Sequence, residues 1–209
     1  MFLTFEGGEG CGKSTQIQRL AERLRALGRE VVVTREPGGT EIGEQLRHLL
    51  QFSAAGHRLV SESELLLFAA SRAQLVRELI RPALDRGAIV LADRFLDSTT
   101  VYQGVARRID PAEVAAINHF AVGPTLPDLT FLLDLPPALA RARLAARPQP
   151  PGAPDRMEQQ PAEFYEAVRR GYLDLAARET TRIRLLDATA SIEQLATDIW
   201  QAVATRLPR

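Results

Sequence analysis

The sequence has little cysteine, little lysine, no excess of either charge and no long apolar run. Cys11 is the only cysteine among 209 residues, so an internal disulfide is excluded and a reducing compartment is expected. Acidic and basic residues are balanced at 26 each, which gives no general attraction to nucleic acid or to an anionic membrane. No stretch approaches the roughly 20 apolar residues that span a bilayer, and the first residues lack the basic region of a signal peptide. We therefore expect a cytoplasmic protein without a nucleic-acid or membrane partner.

The remaining composition is that of a globular protein, with 45% hydrophobic and 25% charged residues. Short apolar strands alternate with amphipathic helices, which predicts an α/β fold with a parallel sheet and helices on both faces. The length suits a single domain over residues 1–209. Five strands are expected at residues 2–5, 30–34, 88–93, 129–135 and 182–186. Helices are expected at residues 13–27, 40–50, from Ser61 or Ser63 to 85, 137–147, 162–178 and after a cap at Ser191.

The strongest motif joins the first strand to the first helix. Residues 7–14 read Gly-Gly-Glu-Gly-Cys-Gly-Lys-Ser and match the P-loop pattern G-x-x-x-x-G-K-[ST]. Glycines let successive backbone N–H groups face a phosphate chain, and the helix N-terminus adds positive charge. Lys13, the single lysine beside 25 arginines, is predicted to reach the β- and γ-phosphates of ATP, and the Ser14 hydroxyl to ligate Mg²⁺. The predicted ATP-binding residues of this loop are Gly7, Gly8, Glu9, Gly10, Cys11, Gly12, Lys13, Ser14 and Thr15.

Two pairs of residues outside the P-loop could carry chemistry. Asp93 and Arg94 end an apolar strand, where the carboxylate can hold Mg²⁺ and the guanidinium can bind a phosphate. Phe68 and Arg72 lie four residues apart and share a helix face, where they could stack on a base and hydrogen-bond to it. The alternative for this second pair is that Phe68 packs in the core and Arg72 forms a salt bridge.

A proline-rich segment interrupts the second half of the chain. Residues 147–156 contain four prolines and one glycine, which excludes regular structure. The segment could be a domain linker, but a mobile lid at about residues 143–157 is expected because little chain follows it. Arg141, Arg143, Arg147 and Arg156 surround it and could supply charge to a transition state, or they could form a solvated basic face.

These segments together resemble the bacterial thymidylate kinases. The matching segments follow the family's order and spacing at residues 5–15, 34–40, 68–72, 93–99, 102–104 and 155–158. The resemblance implies the P-loop kinase fold and an ATP-dependent nucleoside-monophosphate kinase that transfers the γ-phosphate of ATP to dTMP. The implied products are dTDP and ADP, the implied role is dTTP synthesis, the implied cofactor is Mg²⁺, and the implied assembly is a homodimer.

The resemblance also implies which residues bind dTMP. Phe68 would stack on thymine, and Arg72 and Gln103 would hydrogen-bond to its edge. Tyr102 would crowd the 2′ position, and Glu9 would contact the 3′-hydroxyl. The 5′-phosphate would be held by Arg35 and Arg94. The implied substrate-binding residues are Glu9, Arg35, Glu36, Pro37, Phe68, Arg72, Arg94, Ser98, Thr99, Tyr102 and Gln103.

The remaining implied roles concern ATP, the metal and catalysis. Arg143 and Ala188 would contact ATP, and Ser14 and Asp93 would hold the metal. Since Gly10 stands where some relatives place an arginine, the catalytic arginine would come from the lid, with Arg147 the first candidate and Arg143 the second. The implied catalytic residues are Glu9, Lys13, Asp93, Arg94 and Arg147.

Three other functions compete with this interpretation. The nearest is a P-loop kinase for another nucleoside monophosphate or for a deoxynucleoside, whose hydroxyl would need a base such as Glu9 or Asp93. A small GTPase is disfavoured because an Asn-Lys-x-Asp guanine site needs a second lysine. A nucleotide-binding module without catalysis would leave the lid arginines without a purpose.

Overall fold

The structure is a computed structural model that describes residues 1–146, 155–157 and 159–207, the side chain of His57 excepted. Its described strands form a five-stranded parallel sheet in the order β2-β3-β1-β4-β5. The strands are β1 (Phe2–Glu6), β2 (Val31–Arg35), β3 (Ile89–Asp93), β4 (Leu129–Asp134) and β5 (Ile183–Asp187). The predicted parallel α/β sheet is confirmed, and each predicted strand boundary lies within about one residue of the observed one.

Helices cover both faces of the sheet, as predicted. They are α1 (Lys13–Ala26), α2 (Glu41–Gln51), α3 (Ser61–Leu75), α4 (Arg81–Asp85), α5 (Leu96–Thr99), α6 (Pro111–Val122), α7 (Pro137–Ala145), α8 (Ala162–Arg178) and α9 (Ile192–Ala204). None of the helices in the described ranges is long and apolar enough to cross a membrane.

Strand β1 shows how alternation divides the core between the two faces. Leu3 and Phe5 point to one face, where they pack with residues of α1 and α9. Phe2 points to the other face and packs with Leu75 and Ile80. Because side chains alternate along a strand, Glu6 shares the face of Phe2 and is carried into the interior with no exposed surface.

The long helix expected up to residue 85 is not a single α-helix. A π-helical turn at Val76–Ile80 separates α3 from α4. Pro82 lies in the first turn of α4 and has no N–H to donate, so the α-helical ladder cannot continue unbroken through it. The expected serine cap is wrong, since Val60 precedes the helix and no side chain caps it. The cap at Ser191 is confirmed by its contact with the Gln194 N–H.

Two helical segments of the middle region were not predicted from the sequence. One comprises α5 and a π-helical turn at Thr100–Ala106, and the other is α6. A signal for α6 was available, because Asp110 caps its N-terminus and Pro111 occupies the first turn. The Asp110 Oδ1 accepts the Ala112 N–H at 2.8 Å.

The carboxyl ends of the parallel strands meet at one edge of the sheet. Asp93 is in register with Phe5 on one side and with Arg35 on the other. Ligands of open α/β sheets bind at this edge, because the strands end there and loops leave in both directions. The predicted site residues that follow β1, β2 and β3 are therefore brought together.

Candidate active site

The loop after β1 has the backbone of a phosphate cradle. Gly7, Gly10 and Gly12 have φ angles of 132°, 71° and 98°, which side-chain-bearing residues rarely adopt. A Cβ atom at Gly7 would also collide with the Leu133 carbonyl oxygen. These glycines are therefore required for the loop to curl ahead of α1, whose N-terminus opens into the loop.

Lys13 is folded back over this loop. Its Nζ lies 3.0 Å from the Gly8 carbonyl oxygen and 3.4 Å from that of Gly7, and the residue is 6% exposed. The ammonium is thus positioned by backbone oxygens at the mouth of the cradle. An incoming phosphate chain would replace weak neutral acceptors with charged ones.

Ser14 and Asp93 form the pair expected at a metal site. The Ser14 hydroxyl donates to the Asp93 Oδ2 at 3.2 Å, although the two residues are separated by 79 positions in the chain. Two oxygen ligands beside a phosphate cradle fit Mg²⁺, which keeps several waters and binds through one or two protein oxygens plus substrate phosphates. The residues present are therefore suited to a nucleotide-bound Mg²⁺.

Arg94 follows β3 in a left-handed backbone conformation with φ of 71°. Its Nη2 donates to the Glu9 carboxylate at 2.6 Å, and its Nη1 donates to the Ser98 hydroxyl at 3.1 Å. Burial opposes ionisation of Glu9, but the charges of Arg94 and Lys13 outweigh it and lower the pKa of its carboxyl to about 2. Glu9 is therefore an anion held by two cations, and such a carboxylate is a weak proton acceptor.

A buried network behind Arg94 was not predicted from the sequence. The Glu6 carboxylate accepts hydrogen bonds from the Ser98 hydroxyl at 2.6 Å and from the Tyr172 hydroxyl at 2.7 Å. Tyr172 also accepts a bond from Arg94 at 3.3 Å. A glutamate at the end of a strand without any other charged residue was the available signal for Glu6. Tyr172 comes from α8, and nothing in its local sequence marks it.

Two adjoining cavities open beside the P-loop and share Glu9, Gln51, Arg94 and Asp155 in their linings. The first, called the polar cavity, has a volume of about 170 Å³ and includes Lys13 and Asp93. The second, called the aromatic cavity, contains Phe68 and Tyr102. Eight of the eleven residues predicted to bind substrate line the aromatic cavity: Glu9, Pro37, Phe68, Arg94, Ser98, Thr99, Tyr102 and Gln103.

Three polar atoms of the aromatic cavity have no hydrogen-bond partner among the described residues. They are the Thr99 hydroxyl, the Tyr102 hydroxyl and the Gln51 Oε1, each in a residue that is at most 9% exposed. Buried polar groups are normally paired, so three unpaired groups on residues that line this cavity fit a polar ligand there. Gln51, Asp155 and Met157 also line this cavity and were not predicted.

Arg35 and Glu36, both predicted substrate ligands, line the polar cavity instead. Arg35 donates to both carboxylate oxygens of Glu44 at 3.0 Å. Arg47, which sequence reasoning missed, lines the same cavity and is held by the Pro37 carbonyl oxygen at 3.0 Å. The polar cavity therefore contains one more arginine than expected.

Arg72 lines neither cavity. It is 1% exposed, and its guanidinium donates to the Glu36 carboxylate at 2.7 Å and to Asn118 at 2.9 Å. A third bond, of 3.2 Å, goes to the Phe95 carbonyl oxygen. The structure thus contains the salt bridge that was the alternative interpretation for Arg72. Its contact with a base stays a prediction.

The Glu36–Arg72 pair gives a testable dependence of stability on pH. Burial raises the pKa of the Glu36 carboxyl to about 7, against the opposing charge of Arg72. The stabilisation linked to this raised pKa is fully present below the usual value of 4.5 and is lost as the pH rises through about 7. The free energy of unfolding, measured with urea, should therefore fall relative to the Glu36→Gln variant by on the order of 2 kcal/mol between pH 5 and pH 8. A difference between the two proteins that stays constant over this range would contradict the shift.

The predicted ATP contacts at the other edge of the P-loop are also brought together. The Arg143 Nη2 donates to the Ala188 carbonyl oxygen at 3.0 Å, which joins α7 to the loop after β5. The contact of Arg143 with ATP stays a prediction. Arg147, the first candidate for the catalytic arginine, lies outside the described residues, as does most of the predicted lid.

A P-loop, a serine–aspartate pair formed by the first turn of α1 and the end of β3, and an arginine-lined cavity next to an aromatic one define a P-loop kinase for a phosphorylated acceptor. The thymidylate kinase family model matches residues 5–199. A thymidylate kinase of Geobacter sulfurreducens is 48% identical over 210 residues, covering 100% of this chain and 98% of the relative. One of Deinococcus radiodurans is 48% identical over 206 residues, covering 99% and 97%. The chain belongs to the thymidylate kinase family.

The fold agrees with this assignment. The crystal structure of a thymidylate kinase from Ehrlichia chaffeensis superimposes with a TM-score of 0.78 at 33% identity, and the match covers 98% of both chains. The family resemblance seen in the sequence is therefore confirmed over the whole chain.

Proposed function

We propose that the protein is a thymidylate kinase that transfers the γ-phosphate of ATP to dTMP, giving dTDP and ADP. The observation that carries this proposal is the junction of the two cavities. The aromatic cavity suits a nucleoside, and it opens at Glu9 and Arg94 into the polar cavity where Lys13 lies. An acceptor phosphate bound at Arg94 would therefore meet the γ-phosphate bound at Lys13.

The chemistry requires alignment more than proton transfer. The second pKa of a phosphate monoester is near 6, so the acceptor oxygen is already ionised at neutral pH. Arg94 and Arg47 would neutralise the acceptor, and Lys13 the donor, so that two anions can approach. Mg²⁺, held by Ser14 and Asp93, would shield the β- and γ-phosphates. The strongly lowered pKa of Glu9 disfavours this carboxylate as the base that a deoxynucleoside acceptor would need.

The roles of the aromatic cavity follow from its residues. Phe68, half-buried in its wall, offers a plane for the base, and Gln103 offers an amide to the base edge. Tyr102, 8% exposed in the same wall, has a buried hydroxyl without a partner among the described residues, and its side chain crowds the sugar. Glu9, at the junction of the cavities, accepts the sugar 3′-hydroxyl. We expect the enzyme to work in the cytoplasm.

An assay of ADP release tests the function. ATP·Mg²⁺ is supplied with one acceptor at a time: dTMP, dUMP, UMP, CMP, AMP or thymidine. Release should be fastest with dTMP, slower with dUMP and close to background with the others. Turnover with thymidine alone would replace the proposal with a nucleoside kinase, and turnover with no acceptor would remove the kinase assignment.

We also propose a homodimer formed by the surface of α3 and α6. These helices pack side by side, and each leaves an apolar side chain exposed, Leu66 at 56% and Phe120 at 82%. Arg77 fixes the end of α6 by donating to the Ala121 carbonyl oxygen at 2.7 Å, so Phe120 is presented on a rigid element. Such a surface is typical of a buried interface core.

Light scattering on a sizing column tests the dimer. The protein should have the mass of two chains, and Phe120→Asp should shift it toward one chain because a charge is buried in the interface. Leu185→Asp, at an exposed apolar residue of β5, is the matched control and should leave the mass unchanged. A single-chain mass for the unmodified protein at micromolar concentration would contradict the proposal.

A further inference from the structure

Glu64 is a buried carboxylate that contacts the aromatic cavity only through other residues. It is 1% exposed, lies on α3 and does not line the cavity itself. Its Oε1 accepts from the Gln103 Nε2 at 2.8 Å and from the Arg107 Nε at 3.2 Å. Its Oε2 accepts from the Arg156 Nη2 at 2.6 Å. Two arginines thus hold the carboxylate in place, and its remaining contact is with Gln103.

The carboxylate fixes which way the Gln103 amide points. Flanking arginines and the Gln103 bond keep the Glu64 carboxyl ionised, and its pKa is lowered although burial acts against this. An ionised carboxylate accepts hydrogen bonds and cannot donate them. Gln103 must therefore turn its NH₂ group to Glu64, which leaves its carbonyl oxygen for the cavity. No group in the described ranges donates to that oxygen.

A free glutamine could serve either kind of base. Its amide can rotate to offer a donor or an acceptor, so it could bond equally to the N3–H donor of uracil and thymine or to the N3 acceptor of cytosine. With the NH₂ group engaged, an acceptor is all that the amide can offer to a base. An N3–H donor completes the arrangement, whereas a cytosine N3 would face the carbonyl oxygen with no proton between them.

We propose that Glu64 is a positioning residue that orients the Gln103 amide and thereby makes the pocket select a pyrimidine with an N3–H donor over cytosine. The proposal rests on the proposed function, in which the base occupies the aromatic cavity. Glu64 acts through Gln103 and touches no substrate. Its three hydrogen bonds with Arg107 and Arg156 hold the carboxylate in one position, independently of the Gln103 amide.

The variant Glu64→Gln replaces the carboxylate with an amide of the same shape. The Oε2 position accepts from Arg156 at 2.6 Å and from the Arg107 Nη2 at 3.3 Å, so we expect the single carbonyl oxygen of the new amide to stay there. Its NH₂ group then takes the Oε1 position facing Gln103, where the Arg107 Nε bond of 3.2 Å is lost. Gln103 can then accept from it and present its own NH₂ group to the cavity. The Gln103 amide is then no longer fixed with its carbonyl oxygen toward the base, while the size of every side chain is kept.

The experiment compares dUMP with dCMP as acceptors in the ADP-release assay. These acceptors share the sugar and phosphate and differ only at the 3,4-edge of the base, so the ratio of their kcat/KM values reports recognition of that edge. Because both values come from one enzyme preparation, the ratio does not depend on the fraction of active enzyme. The ratio should fall at least tenfold in Glu64→Gln, since the orientation of one buried hydrogen bond is no longer fixed. The dTMP-to-dUMP ratio, which reports the 5-methyl group, should not change. Glu62→Gln, at an exposed glutamate on the same helix, should leave both ratios unchanged.

A double variant tests the same orientation without depending on the fold of the single one. Glu64→Gln combined with Gln103→Glu exchanges the amide and the carboxylate and keeps the net charge of the cluster. A carboxylate at position 103 can only accept, so the preference for dUMP should return to within about threefold of the unmodified enzyme.

The outcomes separate the two proposals. A dUMP-to-dCMP ratio unchanged in Glu64→Gln, or a double variant that prefers dCMP, would overturn the role of Glu64 while dTMP turnover still upholds the kinase. Absence of dTMP turnover in the unmodified enzyme would overturn the proposed function itself, and the role of Glu64 with it.

Discussion

Replacing Lys13 with methionine is expected to lower kcat about a thousandfold. The side chain is nearly isosteric, so the substitution removes the charge and its hydrogen bonds with little change in packing. Lys13 is held at the P-loop by the Gly8 carbonyl oxygen at 3.0 Å, and no second lysine exists in the sequence to replace it. Removal of one preorganised donor from a transition state typically costs about 10²–10³ in rate.

Two further variants of α1 make the Lys13 result specific. Lys13→Arg keeps the charge but brings a planar fork that does not fit a cradle built around an ammonium, so we expect a loss of at least a hundredfold. Arg19→Met, which breaks an exposed pair with Glu193, should leave kcat within about twofold. Steady-state kinetics with saturating ATP and dTMP measure all three. Retention of more than a tenth of kcat in Lys13→Met would contradict the role of this ammonium.

Replacing Arg94 with alanine is the second change with a large expected effect, a loss of about 10³ in kcat/KM for dTMP. Arg94 pairs with Glu9 at 2.6 Å and lies where the two cavities meet. Its removal takes away a phosphate ligand and leaves the carboxylates of Glu9 and Glu6 without their shared cation. Charge-assisted bonds to a phosphate are among the strongest that a side chain makes.

A glycine at the same position distinguishes the role of the Arg94 side chain in activity from the cost of its backbone conformation to stability. The φ of 71° at Arg94 costs roughly 1 kcal/mol or more for any residue with a Cβ atom and almost nothing for glycine. Arg94→Gly and Arg94→Ala should therefore lose activity equally, whereas the glycine variant should have the higher melting temperature. Thermal unfolding and initial rates give both quantities. Equal melting temperatures would contradict the cost assigned to the backbone, and activity retained in the glycine variant would contradict the role assigned to the side chain.

The parts of the site that depend on backbone conformation could be predicted from the sequence. Gly7, Gly10 and Gly12 specify their positive φ angles locally, and Lys13 and Ser14 follow from them by position along the first helix turn. The strands were predictable for the same reason, since five apolar runs of fixed length leave few alternatives in a parallel sheet.

The charge partners of the site could not be predicted in this way. Glu36 pairs with Arg72, and Glu64 with Arg156, across 36 and 92 positions of the chain. With 25 arginines and 26 acidic residues, local sequence does not specify which pairs form, because the packing of distant helices decides it. The same reason hides Tyr172, which reaches Glu6 from 166 positions away.

The failure to predict helix α6 has a different cause. Segment α6 is rich in alanine and valine and lacks a clear polar face, because Phe120 on its outer side is apolar. A helix whose outer surface is apolar lacks the contrast between a polar and an apolar face, with a period of 3.6 residues, by which helices are predicted from sequence. The apolar outer side of α6 therefore explains why this helix was not predicted, and it is also the reason for proposing that α6 forms part of the dimer surface.

The single lysine also makes this protein a convenient substrate for chemical modification. Reagents that acylate lysine have one target in this sequence, the Lys13 ammonium inside the cradle. A nucleotide bound at the P-loop would cover this amine. The extent of labelling at Lys13 with and without ATP, read by mass spectrometry, would therefore report nucleotide occupancy without any engineered probe.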